Sequence, residues 1–460
     1  MATIVSRISG GTGVPFNSVA GEVEGVGGVE DEFLFEGTAT QFGVRSGGAY
    51  ATDGRWTAEP MSDKPFRSRM LVVRPGDPAA FNGTVIVTWN NVSAGQDNFT
   101  VGHSAAQLLT DGFALVGVTT QRVGVEGNAD MELPEDFHGM SFPRVPGLRD
   151  HDPDRYGTLD HPGDGFSYDI FRQAGELVGP GRDRTIDPLG GLDVRHVIAT
   201  GGSQSANRLS TFLNAIQPLG SPYDAFLLTV YAGCPTALDP ATAPESLPQI
   251  PANTVQLLEW RTYRLRDDLD VPVVVLNSEF EAEQYHPNNQ PDTELLRFWE
   301  IAGTAHGGLM SPEMLDMFGP AIGNVCTVSF APASRAAIHA LHAWVNSGDP
   351  PPHQPRLQKD GDPPALPRDE HGNAIGGIRW PDVEAPLGTH VGESAADGFA
   401  NLMGSSTPFP PEKVRALYAD KEEWLAQYRA AIEQLVAAQA VLPDDADRML
   451  ARASATEFPA

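Results

Sequence analysis

The 460-residue sequence predicts an α/β protein built on a mostly parallel sheet of about eight strands. Three observations predict it. Short β-branched runs recur along the chain, and each stops at a turn or a helix. Several of these runs are apolar throughout, as strands covered on both faces of a parallel sheet must be. Helical segments alternate with the later runs, as crossovers between parallel strands require.

The runs come in order. "EFLFEGTATQF" (Glu32–Phe42) and "RMLVVRP" (Arg69–Pro75) are first, then "TVIVTWN" (Thr84–Asn90) and, after the helical "SAAQLLTDG", "FALVGVTT" (Phe113–Thr120). "HVIATGG" is the fifth, followed by "DAFLLTVYAG" (Asp224–Gly233), "VPVVVLNSE" (Val271–Glu279) and "FWEIAG" (Phe298–Gly303). Two stretches break the alternation and read as lid-like insertions, 121–165 and 234–270. The second carries Leu257, Leu258 and Trp260, apolar groups able to cover a pocket. Residues 1–350 therefore read as the core. Residues 351–460 read as an extended arm, punctuated by "DPPP" and "DPPALP", followed by helices packed on that core. There Val414, Leu417, Tyr418, Trp424, Leu425, Tyr428, Ile432 and Leu435 repeat at helical spacing.

Sixty acidic against 31 basic residues give a formal net charge of −29 at pH 7, which disfavours nucleic acid and anionic membranes as partners. The opening "MATIVSRISGG" lacks the apolar core of a secretion signal, and no run reaches membrane-span length. A soluble, cytoplasmic protein with a small-molecule partner is the expectation. Cys234 and Cys326 are too far apart in sequence to suggest a metal cluster, and whether they pair is open.

"RHVIATGGSQSANRLSTFLNAI" (Arg195–Ile216) turns from strand to helix through a tight corner. A serine hydroxyl attacks only when a base can reach it, and a strained strand-to-helix turn exposes it. Such a turn needs small residues two before and two after the nucleophile. Ser203 has Gly201 and Ser205; Ser205 has Ser203 and the bulkier Asn207; Ser210 lies within the helical run. Ser203 fits best, and the N–H of Gln204 is the matching oxyanion donor.

On this architecture the acid and the base follow the serine in chain order. The seventh run leads into "NSEFEAEQYH", which offers Glu279, Glu281 and Glu283. With the strand ending near Asn277, Glu281 is favoured, because it lies where a loop can turn its carboxylate inward. The eighth run opens into "TAHGG", and small neighbours let the imidazole of His306 swing between nucleophile and leaving group. A second oxyanion donor is expected from "WNNVSAGQDNF", from the amide of Asn91 or Val92. His339 and His342 read as packing or surface residues. "DHDPDRYGTLDHPGD" (Asp150–Asp164) reads as a loop capped by its aspartates rather than a metal site, despite His151, Asp152, His161 and Asp164.

"GGSQSANRL", "LNSEFEAE" and "WEIAGTAHGG" together resemble the α/β-hydrolase superfamily. More narrowly, the chain resembles a bacterial family of α/β-hydrolase-domain proteins with an S-Q-S elbow and a G-T-A-H histidine loop. The likeness extends to "WNNVSAG", "RYGTLDHPGDGFSYDIF", "DEHGNAIGGIRWPDVEAP" and "ALYADKEEWLAQY". It implies the α/β-hydrolase fold and a serine hydrolase of carboxylic esters without a cofactor or metal, its nucleophile at Ser203 and its base at His306. Ser205 occupies the position where glycine is commonest. The expected chemistry is two-step acyl transfer to water by Ser203, His306 and Glu281. The alternatives are an acyltransferase with the same residues and a non-catalytic ligand-binding relative. Trp260, Tyr263 and Phe166 are candidates to make the pocket apolar.

Overall fold

The computed structural model describes residues 1–45, 50–93, 95–127, 145–238, 263–285, 289–309, 324–361, 364–394 and 398–458. Among them, ten strands form the main sheet: β1 (Thr3–Arg7), β2 (Gly28–Val44), β3 (Ala58–Pro75), β4 (Thr84–Trp89), β5 (Ala114–Val118), β6 (His196–Gly202), β7 (Ala225–Thr229), β8 (Val273–Asn277), β9 (Leu296–Ala302) and β10 (Ile378–Arg379). Their spatial order is β1-β2-β3-β5-β4-β6-β7-β8-β9-β10. The first three strands and β5 pair antiparallel, and from β5 to β10 every pair is parallel. All parallel strands but β10 thus end on one edge in loops whose residues meet across short distances.

Burial on both faces explains the unbroken apolar runs. Along β4, Val85, Val87 and Trp89 enter the core on one face, while Ile86 enters the core on the other. The helices that cover the sheet are α1 (Ala105–Thr110), α2 (Ser167–Val178), α3 (Gln204–Thr211), α4 (Glu279–Gln284), α5 (Ala331–Ser347), α6 (Lys421–Ala437) and α7 (Pro443–Ala455). The apolar residues of α2 and α3 belong to the first core; those of α1, α5, α6 and α7 belong to the second.

Each of the eight predicted runs contributes a strand, β2 to β9, and two strands were not expected. β1 is short and half exposed, with no apolar run to announce it. β10 comes from the arm and pairs Ile378 with Ile301 and Arg379 with Ala302, so the arm adds a strand to the sheet as well as lying on it. β3 begins 11 residues earlier than "RMLVVRP" indicates: its first half, "AEPMSDKPFRS", is largely exposed and holds two prolines. That half is a strand because β2 pairs with it residue by residue, a tertiary effect that overrides local propensity.

The C-terminal helical pattern divides at Tyr418–Asp420. Asp420 accepts a hydrogen bond from the Glu423 N–H at 2.9 Å and starts α6, which buries Trp424, Tyr428, Ile432 and Leu435. A separate hairpin, β11 (Gly388–Val391) with β12 (Ser405–Pro408), closes the arm. Of the expected lids, residues 128–144 and 239–262 lie outside the described residues, as do Leu257, Leu258 and Trp260.

Candidate active site

β6 is apolar until Gly201 and Gly202, and α3 starts at Gln204, so the whole change of direction falls on Ser203. Its backbone sits at φ 58° and ψ −121°, a region that costs a non-glycine residue about 1–3 kcal/mol. Hydrogen bonds hold the strained residue from both sides: Ser203 N–H to Thr229 O at 3.0 Å, and Asn207 N–H to Ser203 O at 3.1 Å. A Cβ at Gly201 would lie 2.9 Å from Leu209 Cδ1 and 3.0 Å from Ser205 O, which is why the position must be bare. Ser205, the rival nucleophile, is buried, and its Oγ lies 2.9 Å from both the N–H and the carbonyl oxygen of Gly202. Its hydroxyl serves the turn, whereas Ser203 is partly exposed.

The acid segment is a short helix rather than the expected loop. β8 ends at Asn277, and α4 follows with Ser278 as its N-cap. Ser278-x-x-Glu281 has the spacing of a capping box, yet Ser278 Oγ donates to Glu281 Oε2 instead of capping the backbone. Glu281 Oε1 then faces His306 Nδ1 at 2.6 Å, with the carboxylate buried and the imidazole partly exposed. The ring of Phe280 stands edge-on to that imidazole, centroids 6.2 Å apart. Glu279 is engaged elsewhere: its carboxylate accepts from Gly303 N–H at 2.5 Å, Arg368 Nη1 at 2.7 Å and Gly392 N–H at 3.1 Å. Burial pushes the Glu279 carboxyl above the usual range, and Arg368 and the two amides pull it back. Glu283 is half-buried at the far end of α4, where burial and the neighbouring Glu393 raise its carboxyl.

On the other side of the elbow, the loop after β4 closes through a bridge between Asn91 and Asn98. Asn91 N–H donates to Asn98 O at 2.9 Å and is thereby occupied. Val92 N–H has no acceptor among the described residues, so of the two amides Val92 is the one left to give. The Asn91 side chain acts separately from its amide, since Nδ2 donates to Gly202 O at 2.8 Å and ties this loop to the residue before Ser203. Underneath, the buried Asp97 carboxylate accepts from Asn90 Nδ2 at 2.8 Å, Thr119 Oγ1 at 2.7 Å and Arg69 Nη1 at 2.9 Å.

A family model described as the alpha/beta hydrolase domain matches residues 4–451. The chain belongs to that family. Solved structures similar to this α/β hydrolase are distant. The ferulic acid esterase from Streptomyces cinnamoneus is 14% identical with a TM-score of 0.34, over 69% of this chain and 92% of its own. The rice cell wall degrading esterase LipA from Xanthomonas oryzae is 10% identical with a TM-score of 0.30, over 65% and 89%. Esterase B from Lactobacillus rhamnosis is 12% identical with a TM-score of 0.28, over 50% and 69%. No curated protein matches the chain.

Several residues that shape the α/β-hydrolase site escape sequence reasoning. Val230, just past β7, has φ 46°, an outlier for a β-branched residue, and its N–H donates to Leu276 O at 2.7 Å. Asn277 clamps the next residue, accepting from Tyr231 N–H at 2.8 Å and donating to Tyr231 O at 2.9 Å. No local pattern marks Val230; an asparagine ending an apolar strand is the available signal for Asn277.

The loop over Asp150–Asp164 is structural. Asp152 caps a turn through Arg155 N–H, His161 Nε2 lies 2.8 Å from Thr120 O, and Asp164 Oδ1 accepts from Arg122 N–H. No group of three or more potential metal ligands converges among the described residues. His339 meets Asp111 at 2.9 Å and His342 meets Thr84 at 2.8 Å, both edge-on to Phe113. Cys234 and Cys326 are buried free thiols. Phe166 is a core residue under the Lys64 ammonium, and Tyr263 packs edge-on to Trp56. Among the described residues no helix is long and apolar enough to cross a membrane.

Proposed function

We propose that this α/β hydrolase cleaves carboxylic esters through Ser203, His306 and Glu281. The observation that carries the reading is the pairing of a strained, partly exposed serine at the end of β6 with a 2.6 Å imidazole–carboxylate contact at the ends of β8 and β9. His306 takes the Ser203 Oγ proton as the oxygen adds to the ester carbonyl carbon. It then delivers that proton to the departing alkoxide, leaving an acyl-serine. Water repeats the sequence, releasing the acid and restoring the hydroxyl. Glu281 fixes the Nδ1–H tautomer and stabilises the imidazolium. The N–H groups of Gln204 and Val92 receive the oxyanion, each donor worth about 3 kcal/mol in the transition state.

The test pairs a fluorophosphonate probe with p-nitrophenyl esters of graded acyl length. Wild-type protein is expected to take the probe on Ser203 and to turn over at least one ester. Ser203→Ala is expected to lose both while melting at the wild-type temperature, and Ser205→Ala to remain reactive. Ester turnover that survives Ser203→Ala and disappears in Ser205→Ala would sink the assignment. Added alcohol acceptor tells water from alcohol as the second substrate, because acyl transfer yields a new ester.

A further inference from the structure

We infer that the chain beyond residue 350 is a built part of the acid–imidazole half of the site, and that Arg368, acting through the buried carboxylate of Glu279, is a positioning residue for the Glu281–His306 pair. The inference rests on the ester-hydrolase reading above.

Two core carboxylates next to the site are almost wholly buried, Glu279 at 1% exposure and Glu300 at 0%. Both form their ion pairs with the arm. Glu279 meets Arg368 Nη1 at 2.7 Å; Glu300, on β9, meets Arg356 Nη2 at 2.7 Å, Lys359 Nζ at 3.1 Å and the Leu357 N–H at 2.8 Å. A buried carboxylate without a partner is strongly unfavourable, so the core carries two charges that only become tolerable when residues 356–368 arrive.

Glu279 is also the joint between the two segments that carry the pair. It lies two residues before Glu281, and its Oε1 accepts from the N–H of Gly303, three residues before His306. Its own N–H donates to Thr304 O at 3.2 Å. Oε2 accepts from the arm, through Arg368 and Gly392 N–H. The fit there admits no side chain: a Cβ on Gly392 would lie 2.6 Å from Glu279 Cβ and 2.9 Å from both Phe280 N and Thr304 O. At Gly404 of the same arm, a Cβ would come within 2.6 Å of Ala305 Cβ, beside His306. Meanwhile Cys326 Sγ donates to Gly303 O at 3.2 Å, and its N–H donates to Met403 O at 3.0 Å. The acid and histidine segments thus set their separation against the arm. Displacements near 1 Å cost about 10²-fold in rate when they misalign reacting groups.

The experiment compares full-length wild type, Arg368→Ala, Arg368→Lys and the double variant Glu279→Gln/Arg368→Met. The readouts are fluorophosphonate labelling rate and the kcat, KM and pH profile of p-nitrophenyl acetate hydrolysis. Arg368→Ala is expected to lose on the order of 10²-fold in kcat, with little change in KM and a displaced pH profile. Arg368→Lys, which keeps the charge, is expected to recover most of that loss, as is guanidinium added to Arg368→Ala. The double variant removes both charges together and is expected to fold even where Arg368→Ala does not, with kcat still depressed. A folded Arg368→Ala or double variant with wild-type kcat, labelling rate and pH profile overturns the inference alone. Wild-type protein that takes no probe at Ser203 overturns the ester-hydrolase reading and the inference with it.

Discussion

On the Asn91–Val92 side of the candidate site, the loop after β4 is held by Asp97, whose carboxylate takes Arg69, Asn90 and Thr119. On the acid–imidazole side, the segments after β8 and β9 are held from outside by Glu279, whose carboxylate takes Gly303, Gly392 and Arg368. The two carboxylates have similar surroundings, but their cations have different origins. Arg69 stands on β3, 28 residues from Asp97, and also meets Glu32, which Arg155 meets in turn. Arg368 lies 89 residues beyond Glu279, on a segment with little regular structure. One half of the site is therefore tied to a cation of the sheet itself, and the other to a cation from the last quarter of the chain. Burial pushes the Asp97 carboxyl up, with Arg69 the chief opposing influence, so each anchor depends on its cation.

The comparison breaks most easily at Arg69. Both Arg69 and Asp97 are essentially inaccessible, and removing one member of a buried pair costs about 3–5 kcal/mol because the other is left uncompensated. Arg69→Ala is expected to lower the unfolding free energy by that amount in urea titrations. Replacing Asp97 by Asn as well should restore part of it. A loss under about 1 kcal/mol, the scale of an exposed pair, would mean that the network does not anchor the loop.

A smaller effect is expected at Asn91, where the tie is neutral. Asn91→Ala deletes the 2.8 Å bond to Gly202 O and the acceptor for Ser93 N–H while leaving the buried charges intact. The measurable outcome is roughly a tenfold drop in kcat, about 1.4 kcal/mol of barrier, with a small change in melting temperature. Asn91→Asp should be worse, since a carboxylate opposes the Gly202 carbonyl instead of donating to it. Equal labelling rates in wild type and Asn91→Ala would show that the elbow holds its strain unaided.

These contrasts also explain which parts of the site were legible in the sequence. The candidates Ser203, Glu281 and His306 follow from where apolar runs end, a local property, and from the chain order that the architecture expects. The choice between Glu279 and Glu281 rests on a spacing of two residues, and only the three-dimensional contacts separate the roles of the two carboxylates. Arg368, Gly392 and β10 were beyond reach because their partners lie 89, 113 and about 77 residues away, and nothing in a Pro-rich arm marks the ones that return to the site. Asp97 was hidden differently. It sits in "SAGQDNF", where a polar turn is the ordinary reading, and its importance comes from an arginine on another strand. Long-range ion pairs leave no periodicity, so the candidate residues were more legible than their supports.

The smallest expected effect concerns acid, and it addresses both halves at once. Burial lowers the pKa of His161 against Thr120, of His390 in the arm and of His342 on α5, the last to about 4 from 6.5. A folded pKa below the unfolded one means that the unfolded chain binds more protons. The stability these neutral rings allow is therefore complete above 6.5 and falls as pH drops toward about 4. Melting temperature should decline steadily over that window, and His342→Gln, which cannot titrate, should flatten the decline. His161→Gln and His390→Gln then divide the remaining slope between the halves. If the arm closes the acid–imidazole half from outside, protonating His390, whose Nδ1 lies 2.8 Å from Ser406 Oγ in the β11–β12 hairpin, should loosen that half. His390→Gln should then remove more of the remaining slope than His161→Gln.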